Sequence, residues 1–252
     1  TGSTGDGYDL AQAVGHRLLP IRPALVPLET AGDTAGDTAG RMAGLTLRNI
    51  RARLLIDGKK ARDISGELTF AEYGLTGPVV LTLSGQAVDA LRAGHRVEMA
   101  IDLKPALDEK KLDARLLRDL AARGKEPCAS LLRGLLPREM VPVCLDQAQV
   151  PPERTGANVT ARERRRLRLW LKDLRLPISG HRPLSEAIVT AGGVDTREID
   201  PRTMESRLVR GLYLAGEVLD LQADTGGYNL QAAFSTGWLA GRCAARADDG
   251  PA

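Results

Sequence analysis

Aromatic side chains are scarce: two Trp, four Tyr and two Phe make up 3% of the 252 residues. Any core therefore rests on Leu, Val, Ile and Ala. Cysteine is equally sparse. Cys128, Cys144 and Cys243 are odd in number and widely spaced, which fits neither a disulfide framework nor a zinc knuckle, so free thiols in a reducing compartment are expected. His16, His95 and His181 are scattered, and no metal site is expected. No apolar run approaches the roughly 18 residues that would span a bilayer, and no secretory signal opens the chain, so a cytoplasmic protein without membrane contact is expected. The net charge of +3 is too slight to imply nucleic acid or membrane by itself. An initiating Met is also missing. The chain opens on Thr1-Gly2-Ser3, already inside a glycine-rich loop, which predicts that the N-terminal portion of a longer protein is absent.

With 43% hydrophobic and 27% charged residues, the composition is that of a globular chain, long enough for one large domain or two small ones. The stretch with most organisation runs from Gly211 to Gly241. Leu212-Tyr213-Leu214-Ala215 predicts a short strand stopped by Gly216. A loop with Glu217, Asp220 and Asp224 follows, then Gly226-Gly227. Beyond it Leu230, Ala233, Phe234, Gly237, Trp238 and Gly241 recur with helical period. Strand, glycine-rich loop and helix N-terminus form the kind of crevice in which α/β proteins hold ligands. Glu217 or Asp220 can accept hydrogen bonds from sugar or ribityl hydroxyls. The N–H groups from Gly227 to Leu230, past Tyr228 and Asn229, lack intrahelical partners and favour an electron-rich group ahead of them. An ordinary glycine-containing turn would give the same spacing.

Taken in order, TGSTGDGYDLAQAVG (Thr1 to Gly15) reads as a loop then a helix, with Asp6 as N-cap, Gly15 as C-terminal cap and Leu10, Ala13 and Val14 as the apolar stripe. Its glycines do not make the G-x-G-x-x-G fingerprint. Pro20, Pro23 and Pro27 impose an extended segment, and the TAGD repeat near Thr30 to Gly40 reads as a surface turn. From Leu45 the period changes to two: Ile50, Ala52, Leu54 and Ile56 alternate, Asp57-Gly58 predicts a hairpin turn, and Leu68 with Phe70, then Val97 to Leu103, mark further strands. GELTFAEYGLTGP (Gly66 to Pro78) contains a projecting loop in which Glu72 and Tyr73 could face a substrate as acid or hydrogen-bond donor; a solvated hairpin turn is the simpler reading. Short helices are expected over Leu112 to Arg123 and Pro127 to Leu136. ARERRRLRLWLKDLRL (Ala161 to Leu176) predicts a basic helix with Leu167, Trp170, Leu171 and Leu174 inward. Its arginines allow a nucleic-acid-binding module, though a charge run on a helix is more often a solvated face. Ala187 to Thr190 is a β-branched strand that runs into Gly192-Gly193. The expected organisation is α/β, interrupted by a β-rich and helical insert: 1–42 and 183–246 for the α/β domain, 43–182 for the insert, and a disordered tail at 247–252.

Together, AIVTAGGVDTREIDPRTMESRLVRGLYLAGEVLDLQADTGGYNLQAAFSTGWLAG (Ala187 to Gly241), TGSTGDGYDLAQAVGH with PALVPL, and GELTFAEYGLTGPVVLTLS are similar to the aminoacetone-oxidase-like FAD-binding proteins, some of which are described as bile-acid-processing reductases. The resemblance covers nearly all the chain. It implies a glutathione-reductase-like FAD domain interrupted by a barrel-like and helical domain over the flavin. It places Gly216, Glu217 and Asp220 near the ribityl chain, and Gly226, Gly227, Tyr228, Asn229 and Leu230 near the flavin pyrimidine edge. Thr1, Gly2, Ser3, Thr4, Gly5, Asp6 and Gly7 would line the crevice, and the GLTGP loop would approach the isoalloxazine. FAD is the implied cofactor, with NAD(P)H or a small organic molecule as the other reactant. The family's strand with G-x-G-x-x-G and its helix are absent here, so the remaining FAD-binding segment would have to come in cis or in trans. The alternative is a truncated or split chain without activity of its own.

Overall fold

The computed structural model describes residues 3–31 and 37–247, the side chain of residue 247 excepted. Thr1 and Gly2, residues 32–36 of the TAGD repeat and residues 248–252 of the tail lie outside the described residues. In chain order the elements begin with α1 (Asp6–Ala13), β1 (Leu18–Ala24), β2 (Leu28–Thr30), β3 (Thr46–Ile56), β4 (Lys59–Ala71) and β5 (Gly74–Thr76). They continue with α2 (Pro78–Arg92), β6 (Val97–Asp102), α3 (Glu109–Ala122), α4 (Cys128–Leu132) and α5 (Met140–Gln147). The last are α6 (Ala161–Lys172), β7 (Leu174–His181), β8 (Val189–Val194) and α7 (Tyr228–Ala247). The α/β chain forms two compact units, one of residues 1–27 and 181–252, the other of residues 28–180. Division at residue 28 puts β2 and Met42 in the second unit.

The second unit is a closed barrel in the order β2-β5-β4-β3-β6-β7. Its longest pairing follows from the sequence. Asp57 and Gly58 both take positive φ, 49° and 75°, and return the chain so that Ile56 faces Lys59. Ile50, Ala52 and Leu54 of β3, Leu68 and Phe70 of β4, and Met99 and Ile101 of β6 are buried together. Each large apolar side chain so enclosed contributes about 1.5–3 kcal/mol. The expected projecting loop is instead structured: GLT forms β5, and Gly77 is the N-cap of α2 with Pro78 in its first turn. Gly74 must be glycine, because its φ is 146° and an added Cβ would collide with the Leu28 carbonyl oxygen of β2. Helix α2 buries Val79, Val80, Leu83, Ala87 and Val88.

Helix α6 starts in a capping box. Thr160 Oγ1 accepts the Glu163 N–H at 3.2 Å, and Glu163 Oε2 accepts the Thr160 N–H at 2.7 Å. Most of its arginines serve the unit internally. Arg164 donates to Asp113 at 3.1 Å, Arg168 pairs with Asp113 and Glu109, and Arg166 donates to the Ala148 and Gln149 carbonyls at 2.5 and 2.9 Å. Arg162 and Arg165 face solvent.

The first unit has a two-stranded antiparallel sheet, β1 with β8. Pro20 falls where the register of the ladder shifts between Leu19 and Arg22, the irregularity that lets proline enter a strand, while Pro23 lies in register opposite Thr190. Helix α1 begins one residue earlier than the capping reading: Gly5, at φ 92°, is the N-cap and Asp6 the first helical residue. Its Leu10 and Val14 are exposed while Ala11 is buried. The core of this unit is small, formed by Ala11, Val194, Ile199, Met204, Leu214, Leu219 and Ala240. Among the described residues no helix is long and apolar enough to cross a membrane.

Candidate functional site

The first unit carries a crevice whose walls come from β8, residues 211–227 and the start of α7. Strand β8 is buried along its whole length. One edge pairs with β1. On the other, the Thr190 N–H donates to Glu217 Oε1 at 2.6 Å and the Gly192 N–H to Asp220 Oδ1 at 3.0 Å. Two carboxylates thus occupy alternate amides that a further strand would otherwise take. The expected acceptors of ribityl hydroxyls are therefore already fixed by backbone, each with a second oxygen whose lone pairs add capacity. Gly193 brings the next turn close: its φ is 123°, and an added Cβ would lie 2.5 Å from the Val218 carbonyl oxygen.

Residues 212–215 do not form the expected ladder strand. The Ser206 N–H donates to the Leu212 carbonyl at 2.7 Å and the Leu214 N–H to the Met204 carbonyl at 3.0 Å, with a single bridge between Glu205 and Tyr213. The segment is extended but pairs with another short irregular piece, which limits the run. At its end Gly216, with φ 77°, opens a 3₁₀ turn through Val218. The Gly216 N–H donates to Thr236 Oγ1 at 3.0 Å, tying the turn to α7.

Gly226 and Gly227 take φ of 120° and 88° and lead into α7, whose first internal bond runs from Gln231 N–H to the Gly227 carbonyl at 2.9 Å. The Asn229 side chain grips the preceding loop at two points: its Oδ1 accepts the Ala223 N–H at 2.8 Å and its Nδ2 donates to the Ala223 carbonyl at 2.9 Å. In front of the helix start lies a cavity of about 310 Å³ lined by Gly216, Glu217, Gly226, Gly227, Asn229 and Leu230, with Leu25, Ile188 and Leu221 as apolar walls. The volume is that of a modest small-molecule site. Tyr228, half of an expected pair with Asn229, is 62% exposed.

Glu217 also lines a second cavity of about 390 Å³ with Thr190, Val218 and Ser3, Thr4, Gly5, Asp6, Gly7 and Tyr8. Burial, partly opposed by a hydrogen bond with Thr190, pushes the Tyr8 phenol above its ordinary pKa, and the Glu217 charge adds to the rise. Tyr8 Oη donates to the Glu217 carbonyl at 3.3 Å. The structure thus brings Ser3 to Gly7 to one cavity and Gly216, Glu217, Gly226, Gly227, Asn229 and Leu230 to the other. Thr1 and Gly2 lie outside the described residues. Glu72 and Tyr73 lie in the barrel unit at the β4–β5 turn, Glu72 exposed and Tyr73 half-buried, with the Tyr73 carbonyl accepting the Thr30 N–H at 3.1 Å. Thr190, Ile188, Leu25 and Tyr8 are lining residues that the sequence reading did not single out. The Thr190-Ala191-Gly192-Gly193 run was the available signal, since paired glycines ending a β-branched strand mark close backbone approach.

A hydrogen-bonded group centred on buried His16 ties the end of α1 to residues 198–206. His16 Nδ1 lies 2.8 Å from Glu198 Oε2, and Nε2 lies 2.9 Å from Ser206 Oγ. By spacing this resembles a Ser-His-acid triad. Ser206 Oγ, however, also accepts the Leu208 and Val209 N–H groups at 3.1 and 2.9 Å, so its lone pairs are engaged and it is a structural clasp. Among the described residues no cluster of three or more His, Cys, Asp or Glu could hold a metal ion.

The HI0933-like protein Rossmann domain matches residues 1–243. A 3-dehydro-bile acid delta(4,6)-reductase of Clostridium scindens is 32% identical over 244 residues, 97% of this chain and 58% of that protein. Ribosomal RNA dihydrouridine synthases of Escherichia coli and Haemophilus influenzae are 32% and 30% identical over 237 residues, 94% of this chain and 55% of theirs. The chain spans little more than half the length of these relatives.

Proposed function

The chain belongs to the HI0933-like Rossmann-domain family, and from that membership we propose that it is the larger part of a flavin-dependent oxidoreductase that reduces an unsaturated carbon–carbon bond. The observation that carries this reading is the start of α7: a helix N-terminus preceded by two positive-φ glycines opens on a cavity that also contains Glu217. The donor set suits a planar ring with an acceptor edge. First-turn amides at Tyr228, Asn229 and Leu230 would hold that edge, because they lack intrahelical acceptors and the helix dipole favours electron density there. The second oxygens of Glu217 and Asp220 would accept polyol hydroxyls. Leu25, Ile188 and Leu221 would keep water from the ring.

FAD is the flavin we assign, and hydride transfer is the chemistry such a cofactor supplies when bound. The names of the relatives support a common reaction: a delta(4,6)-reductase and a dihydrouridine synthase each imply two hydrogens added to an unsaturated carbon pair. NAD(P)H is the proposed source of the hydride. Glu72 and Tyr73 are our candidates for the proton donor. We take the substrate to be a small molecule rather than RNA, because Arg164, Arg166 and Arg168 of α6 are committed to partners within their own unit. The remaining contacts to the adenosine end would come from a further FAD-binding segment, in cis or in trans.

The purified full-length protein should carry visible flavin absorbance that is bleached by NADPH or NADH without oxygen. A colourless preparation that takes up no added FAD would end this reading.

A further inference from the structure

The second unit has an open cavity of about 690 Å³, more than twice the volume of the one before α7. Its floor is apolar, lined by the buried side chains of Val141, Leu145 and Val150. Pro142, Pro151 and Pro152 form walls of fixed φ. Arg41, Asp146 and Gln149 supply the polar side chains. Apolar lining with a few polar groups is the usual make-up of a small-molecule site.

The walls are held from outside. Arg166 holds the Ala148 and Gln149 carbonyls, and the Cys128 N–H donates to the Arg154 carbonyl at 2.7 Å, so the Pro151-Pro152 segment is pinned at both ends. The segment that carries Arg41 is anchored as well. Ala39 and Met42 are buried in the core. Gln147 Nε2 donates to Thr38 Oγ1 at 2.7 Å, and the Trp170 indole N–H donates to Gln147 Oε1 at 2.6 Å. Gln149 takes φ 52° just past the end of α5, a position where glycine is the usual residue. The chain thus keeps a side-chain amide at the cavity despite the backbone cost.

Arg41 is the group that selects a ligand. Its Nη1 donates to Asp146 Oδ2 at 2.7 Å, and the two side chains are 36% and 56% exposed, so a ligand in the cavity can reach both. Among the described residues Asp146 is the one partner of the Arg41 side chain. A guanidinium has five N–H donors, and a pair of them can hold a second carboxylate side-on. An exposed ion pair contributes little, but an anion whose apolar body covers Arg41 from water meets it in a lower dielectric, where the attraction is stronger.

We propose that this cavity binds a small organic monocarboxylate with a compact alicyclic body. The rings lie against Val141, Leu145, Val150 and the prolines, and the carboxylate takes the open donors of Arg41 and the Gln149 amide. A rigid ring body suits fixed walls, since few of its bonds lose rotation on binding. Every one of these residues belongs to the barrel unit, so the site is independent of the flavin reading.

Titration of full-length protein, ¹³C-labelled at Val and Leu methyls, with adamantane-1-carboxylate tests this by NMR. Saturable shifts should centre on Val141, Leu145 and Val150, with a Kd of about 1 mM or below. Adamantane-1-carboxamide, the same body without the charge, should bind about fivefold more weakly or worse. Arg41→Gln should reduce that difference to about twofold or less, and Asp146→Asn, which removes a repelling charge, should tighten the acid about twofold or more. Equal affinity for acid and amide in the wild-type protein overturns the proposal. So do shifts that never saturate or centre elsewhere, tighter binding of adamantan-1-amine than of the acid, and an Asp146→Asn variant that binds the acid more weakly.

Discussion

Ser206 hands its hydroxyl proton to Nε2 of His16 across 2.9 Å, although 190 residues separate them in sequence. The assignment follows from hydrogen-bond accounting: Ser206 Oγ already accepts two amides, so His16 must be the acceptor and carries its own proton on Nδ1, toward Glu198. Glu198 Oε2 also accepts the Arg17 N–H at 3.0 Å, and that bond, with the one from His16, holds its carboxyl below the usual range. The clasp joins the end of α1 to the segment that pairs with residues 212–214, and so to the crevice.

Replacing His16 with Ala should destabilise the protein by about 3 kcal/mol, because it opens a cavity and leaves the buried Ser206 hydroxyl without its acceptor. Glu198→Gln, which keeps an acceptor oxygen, should cost about 1 kcal/mol. Urea unfolding curves of the two variants measure both. Equal midpoints for wild type and His16→Ala would show that the clasp does not brace the fold.

Asp195 gives the fold an acid-sensitive point. The Arg197 guanidinium, followed by the Arg197 N–H, lowers its pKa from 3.8 to about 2. A depressed carboxyl stabilises the folded state fully above its unfolded value, and that contribution fades as pH falls through the folded one. The gap in thermal midpoint between wild type and Asp195→Asn should therefore be full at pH 6 and shrink between about pH 4 and pH 2. A gap independent of pH across that window would contradict the pairing.

Gly193→Ala should lower stability by more than about 2 kcal/mol, since the new methyl group would press on the Val218 carbonyl at a φ that L-residues rarely adopt. Flavin uptake should fall with it, as β8 then moves away from the turn that carries Glu217. Gly15→Ala provides the comparison: its φ is also positive, at 94°, but open space surrounds it, so only the backbone cost of about 1 kcal/mol should appear. Denaturation midpoints for the pair separate steric clash from backbone strain.

In the barrel unit, Arg166→Ala should cost about 1–2 kcal/mol, because two carbonyls lose a charged donor. Arg165→Ala should stay within about 0.5 kcal/mol. If instead Arg165 and Arg162 substitutions abolish a steep salt-dependent affinity for RNA, the small-molecule assignment fails.

Local signals carried much of the fold and little of the site. Asp57-Gly58 specified its turn because few residues tolerate two successive positive φ values, and the basic run from Ala161 marked α6, although the Thr160–Glu163 box that caps it was not read and the helix ends at Lys172, with Leu174 already in β7. Helix α2 escaped notice because Pro78-Val79-Val80-Leu81 reads as a β-branched run after a turn, and burial over much of its surface leaves no clear polar stripe. The stripe on α7 was legible as helix, yet Leu230, Phe234 and Trp238 proved to be the uncovered face, since periodicity gives a face but not its partner. Glu217 lines both cavities of the first unit, whereas Asp220, expected beside it, lines neither. Their hold on Thr190 and Gly192 depends on contacts 27 and 28 residues apart, and nothing in either local sequence states them. The His16 clasp was invisible for the same reason.

The central claim is that the first-turn amides of α7 face a bound flavin. Amide hydrogen exchange of the full-length protein, read at Tyr228, Asn229 and Leu230 with and without FAD, tests it most directly. FAD should slow these three amides at least tenfold while those of α6 are unchanged. Bound FAD with unaltered exchange at all three would contradict it.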